Sequence, residues 1–236
     1  MANNQPYDLQ ALMDRINTLV SNDSDTPTSS TDSDEWNTRL YLIYQAIGTW
    51  EDQDVLWNEL WKTYTHGSTL SATTTYALSS LTDYRFMGGY VRLTLNGATS
   101  YIKVISPKQA REYIDASERA AYITGNDNAG YTLNLTWTPA SSDGTFGATV
   151  VFDYYKRALK PSATTDEVEM SSPGYIIFWV AAQKALLEGQ RNKYSVYDAL
   201  AVEALDNMRI FNDLLPDYQN NRVQDTDALH GAVLGE

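Results

Sequence analysis

Tyr90-Val91-Arg92-Leu93-Thr94-Leu95-Asn96-Gly97-Ala98-Thr99-Ser100-Tyr101-Ile102-Lys103-Val104-Ile105 is the stretch on which the reading of the fold turns. Asn-Gly takes up the two positive-φ positions of a tight turn, and alternating residues rich in β-branched and aromatic side chains flank it. The pattern predicts a hairpin of residues 90–95 and 100–105. Working outward, Ser106-Pro107 is a helix-opening pair, with Ser as N-cap and Pro at the first helical position of a short helix carrying Ala110, Tyr113 and Ile114. Strands are expected at residues 121–124, 131–138 and 148–155, with residues 141–147 as a connecting turn. Upstream, Thr73 to Tyr76 are strand formers and residues 83–89 read as a loop.

Helical spacing appears on both sides of this β-rich stretch. Leu9, Leu12, Met13, Ile16, Leu19 and Val20 form one stripe behind Asp8, and residues 21–35 read as a solvated acidic linker. Trp36, Leu40, Ile43, Tyr44 and Ile47 predict a second helix ending at Gly48, with Asp34 as its cap. Val55, Leu56, Leu60 and Trp61 predict a short third one. After an extended acidic approach over residues 160–172, Pro173 opens a strongly apolar helix ending near Gly189. A last helix over residues 193–214 carries Tyr197, Leu200, Ala201, Ala204, Leu205, Met208 and Phe211, and Pro216 closes it. The expected fold is α+β: a helical bundle from the N- and C-terminal helices, with a β-rich insertion and a flexible C-terminal tail. The expected boundaries are 1–67 for the N-terminal helices, 68–160 for the insertion, 161–216 for the helices completing the bundle and 217–236 for the tail.

Composition narrows the function classes. Thirty Asp and Glu face 17 Lys and Arg, a formal net charge of −13, which argues against tight phosphate binding and against docking on anionic membranes. The absence of cysteine excludes disulfides, thiolate metal sites and cysteine nucleophiles. The start of the chain lacks the basic and apolar regions of a signal peptide, so synthesis in a cytoplasm is expected.

Catalytic chemistry finds little to stand on. His66 and His230 are the only histidines, one beside Gly67 and one in the tail, and neither position promises a rigid imidazole. Asp23, Asp25, Asp32, Asp34 and Glu35 lack the alternation and glycine of a calcium loop. Asp166, Glu167 and Glu169 read as helix-proximal acids in preference to a glycosidase pair. No enzyme, cofactor or metal is expected. Seventeen Tyr, six Trp and five Phe supply rigid contact area, and Trp57, Trp61, Tyr197 and Phe211 are the expected core or subunit-interface residues.

The order of elements from Trp36 to Asp213 resembles the head-to-tail connector (adaptor) proteins of tailed bacteriophages. The resemblance begins with the aromatic helices around Trp50, Trp57 and Trp61. Tyr76 to Arg85 is similar to the family's Y-x-L-P-x-D-F-R passage, although Ser80 and its neighbours stand where a proline is usual. Ile105 to Tyr113 is similar to its post-hairpin helix, Ala121 to Asn126 to its Y-x-x-x-G-N strand, and Phe152 to Lys156 to its Y-Y-x-x-P strand. The resemblance implies a structural protein of the virion neck, forming a twelve-copy ring beneath the portal and continuing the DNA channel without specific DNA binding. It implies portal docking by the tail, with Tyr218, Leu229, Val233 and Leu234 as the contacting residues, and a downstream tail protein as second partner. The competing expectations are another virion part (stopper, tail terminator or tail-tube protein) and a carbohydrate-binding module.

Overall fold

The computed structural model describes residues 7–21, 26–30, 32–114 and 118–214. Two compact units divide them, one built from residues 7–60 and 158–214 and the other from residues 61–157.

The first unit holds four helices, α1 (Leu9–Val20), α2 (Ser33–Glu51), α4 (Gly174–Leu187) and α5 (Arg191–Leu214). Asp8 caps α1 by accepting from the Ala11 amide at 2.7 Å. Asp32, and not Asp34, caps α2, accepting from the Glu35 amide at 3.2 Å. Gly48 does not end α2. The helix runs on to Glu51, which brings Trp50 into the core at 1% exposure.

The class α+β stands, but the N- and C-terminal helices do not form the expected bundle. A bundle needs each helix to offer one apolar stripe to a shared seam. Here α4 is apolar on nearly every side, with Tyr175, Ile176, Ile177, Val180, Ala181, Ala182 and Ala185 buried. It is itself the core, and α1, α2 and α5 each pack against it. Its alanines let those neighbours approach closely.

Polar ties finish the unit. Arg39, only 2% exposed, donates from Nε to Glu35 Oε1 at 2.7 Å and from Nη1 to Asn17 Oδ1 at 3.0 Å. Lys184 Nζ on α4 donates to the other Glu35 oxygen at 2.9 Å. Burial opposes the Glu35 charge, yet these two cations overcome it and hold the carboxyl below its ordinary 4.5.

The second unit is a curled seven-stranded sheet, a half-barrel, with strand order β1-β7-β3-β4-β5-β6-β2. The strands are β1 (Trp61–Thr65), β2 (Thr75–Ala77), β3 (Tyr84–Leu95), β4 (Ala98–Val104), β5 (Ala120–Asn126), β6 (Gly130–Leu135) and β7 (Thr149–Lys156). All neighbours are antiparallel except β4 and β5, whose pairing spans only Lys103↔Ala120 and Val104↔Ala121. The decisive hairpin is β3–β4, turning at Asn96 (φ 50°) and Gly97 (φ 83°), the backbone that Asn-Gly favours.

Three local expectations give way in this region. The third helix is absent: residues 58–60 make a single 3₁₀ turn, and Trp61 opens β1 by pairing with Tyr155 of β7. Residues 83–89 are not a loop, because β3 starts at Tyr84, with irregular register between Tyr84 and Phe86 and between Met87 and Val91. Those bulges bend the strand and help the sheet curl. Ser106 does not cap a helix. Its N–H and hydroxyl both donate to the Gln109 side chain, and α3 (Ala110–Ile114) begins only afterwards. Tyr64, Leu78, Val91, Leu133, Val150 and Phe152 are buried together in this unit's core.

Candidate assembly surface

The sequence-chosen aromatics separate on the structure. Trp57 is core, 1% exposed, with its ring 5.5 Å from Trp50. Trp61 is not one helical turn from it but on β1, half-buried, edge-on to Tyr155 at 4.9 Å. Tyr197 is also half-buried and donates its hydroxyl to the Leu19 carbonyl at 3.0 Å, tying α5 to the end of α1. Phe211 is 62% exposed and belongs to no core. Tyr218, Leu229, Val233, Leu234 and His230 lie outside the described residues, as do parts of the acidic linker.

The exposure of Phe211 reflects the setting of α5. Of its expected apolar stripe, only Ala201 and Met208 are fully buried, because that side alone meets α4. The opposite side carries a second row: Val196, Ala199, Glu203, Asp206 and Ile210, spaced three, four, three and four residues apart and all exposed. Such spacing aligns side chains along one helix face. Its ends are apolar, with Val196 57% and Ile210 60% exposed, and its middle is acidic.

Charge divides between the two units. Residues 61–157 contain nine Lys and Arg and seven Asp and Glu, a net +2. Residues 7–60 and 158–214 contain seven and 19, a net −12. On the sheet unit, Tyr90 of β3 and Tyr101 of β4 stand exposed and edge-to-face at 6.4 Å. Exposed Lys103, Lys108 and Arg111 lie on β4, in the turn before α3 and on α3 itself, and Lys103 Nζ is 3.4 Å from the Tyr113 hydroxyl. Among the described residues no carboxylate forms an ion pair with these three cations.

The titratable groups elsewhere have structural partners. Asp83 accepts from the Tyr154 hydroxyl at 2.7 Å and from Lys62 Nζ at 2.9 Å. Burial opposes the Asp83 charge, and these two donors more than offset it, holding its carboxyl below the usual range. Burial pushes the Tyr84 hydroxyl up to about 12. Asp166 accepts from the Ser162 and Ala163 amides, both at 2.8 Å, and Glu169 from the Leu159 amide at 2.9 Å. These two acids shape the chain leading to α4. His66 sits between Tyr64 and Tyr76, at 6.5 and 5.8 Å, and its buried Nδ1 has no hydrogen-bond partner among the described residues. Among the described residues no three His, Asp or Glu converge as metal ligands.

Two exposed faces thus stand out among the described residues: an acidic-apolar row on α5 and a tyrosine-cation face on the sheet. No family model matches the chain, and no curated protein matches it.

Proposed function

We propose that this chain is a structural protein of a tailed-bacteriophage virion, a head-to-tail adaptor that assembles as a ring under the portal and joins capsid to tail. One observation carries the reading most. Both ends of the chain contribute helices to one unit, and residues 61–157 form a separate sheet unit inserted between them. That is the order of elements in the connector proteins which the sequence resembles. The helices around α4 are not the bundle of that family, so the weight rests on the insertion and on the order of the motifs.

In this reading the protein acts by shape and by many weak contacts, not by catalysis. Twelve copies bury mutual surface in a ring, and residues 217–236, with Tyr218, Leu229, Val233 and Leu234, dock on the portal. The −13 charge suits a channel wall that DNA slides past without being held. The protein is made in the host cytoplasm and ends in the virion neck, with a tail protein as its next neighbour. The curled sheet favours one second reading, another neck or tail part such as a stopper or tail terminator.

The test is co-expression with the portal protein of the same phage, followed by mass measurement and electron cryo-microscopy. A ring seated on the portal is the expected result. A chain that stays single and shows no binding to the portal sinks the reading.

A further inference from the structure

We infer that copies of this chain associate head-to-tail, with the outer row of α5 on one copy seated on the Tyr90–Tyr101 face of the next copy's sheet unit. The inference rests on the ring-forming part of the adaptor reading and adds which two surfaces meet. The first argument is charge. One chain carries a net −12 over residues 7–60 and 158–214 and +2 over residues 61–157, so the unlike regions of two copies attract where like regions repel. The second is the match of side-chain types. Ile210, at one end of the α5 row and 60% exposed, offers apolar area to the two exposed tyrosines, whose rings stand together at 6.4 Å and present one broad, rigid surface. One and two turns before Ile210, Asp206 and Glu203 face outward; among the described residues Glu203 has no ion pair and Asp206 has one, with Arg209 at 3.1 Å. Lys103, Lys108 and Arg111, which no described carboxylate holds in an ion pair, supply the cations they lack.

The third argument is symmetry. The two surfaces are different, so each copy offers one and receives the other. Repeated in one direction, as the ring requires, such a contact is heterologous and builds a ring or a filament, and sedimentation that stops at a reciprocal two-fold pair overturns it. The other occupant such a face could take is a nucleic-acid strand, which also seeks tyrosines beside cations. The overall acidity of the chain disfavours that occupant and favours its own acidic helix.

Charge reversal tests the pairing on the full chain. One variant carries Lys103→Glu, Lys108→Glu and Arg111→Glu, and another carries Glu203→Lys and Asp206→Lys. All are exposed positions, and circular dichroism and thermal melting establish that each variant folds. Sedimentation at rising concentration should show association of the wild type, weakened by salt. Each variant alone should need at least about tenfold higher concentration to associate. Mixing the two variants should restore association, because each then offers the face that the other has lost.

Variants that associate like the wild type would place the copies' contact elsewhere and overturn the inference, while leaving the adaptor reading standing. Failure of the mixture to recover overturns the pairing of these two faces. Retention of a single-stranded oligonucleotide by the wild type, lost in the triple variant with self-association unchanged, assigns the tyrosine face to nucleic acid and also overturns it. A wild type that remains single with and without the portal removes both the inference and the ring.

Discussion

The Trp57 indole Nε1 donates a 2.8 Å hydrogen bond to the carbonyl oxygen of Trp50, in the last turn of α2. That carbonyl also accepts from the Gln53 amide at 3.3 Å, and the indole adds a second, shorter donor while its ring fills the core. Trp57→Phe keeps most of the ring but removes the donor, so a loss of about 1–3 kcal/mol is expected. Trp57→Ala adds a cavity, and about 3–5 kcal/mol is expected. Urea denaturation of the two variants side by side checks both values.

Phe211 provides the contrast. At 62% exposure it contributes little to the folded single chain, and Phe211→Ser should change unfolding stability by no more than about 0.5 kcal/mol. A larger loss in dilute solution would show that the side chain is covered there.

Arg39 is buried with Glu35, Asn17 and Ser21 around its guanidinium. Arg39→Met strands those acceptors, and a destabilisation of roughly 3 kcal/mol is expected. The pH dependence follows from Glu35, whose folded carboxyl titrates below its ordinary 4.5. As pH falls, the unfolded chain takes up this proton first. The contribution of Glu35 is therefore whole above that ordinary value and is lost as pH falls through the lower, folded one. Glu35→Gln should flatten this part of the acid limb in a melting-temperature profile, read as the difference from wild type.

His66 has the opposite charge type and the same direction of effect. Burial lowers its pKa from 6.5, so in the folded protein the imidazole stays neutral further into acid. The unfolded chain binds the proton first, and stability falls as pH drops through 6.5. His66→Phe should remove that loss as pH drops below 6.5, measured by thermal melting as the difference from wild type.

Gly125 stands in β5 one residue before the closing pair Asn126↔Gly130 of the β5–β6 hairpin, at φ +116°, where a Cβ would stand 2.0 Å from the Gly130 carbonyl oxygen. Neither the backbone angle nor the opposing backbone can yield cheaply. Gly125→Ala should destabilise by at least about 3 kcal/mol. Denaturant unfolding of that variant, with Gly97→Ala as a strained but uncrowded comparison, separates the clash from the φ strain.

The sequence by itself determined what adjacent residues decide. Asn96-Gly97 specified its hairpin because turn chemistry is local, and Asp8 and Pro173 marked helix starts because capping and φ restriction act within one turn. The alternation Leu133, Leu135 in β6 named buried residues because a strand shows alternate sides to the core. The Asn-Gly signal was legible, whereas the strand at Trp61 was not: its partner Tyr155 lies far along the chain, and the apolar spacing of Leu56, Leu60 and Trp61 fits a helix equally well.

Tertiary structure alone decided which apolar stripe is covered. The periodicity of α5 names a face that includes Phe211, but only packing on α4 settles that Ala201 and Met208 are inside and Phe211 outside. The same holds for the helices as a group, since apolar spacing cannot distinguish a shared seam from one helix enclosed by three. The candidate surface was half legible. Its residues, and even the charge imbalance of residues 61–157, stand in the sequence, yet the imbalance has meaning only once the chain is seen to divide at those residues. The exposed pair Tyr90 and Tyr101 needed the register Tyr90↔Lys103 and Arg92↔Tyr101, which brings them diagonally together on one face of the sheet.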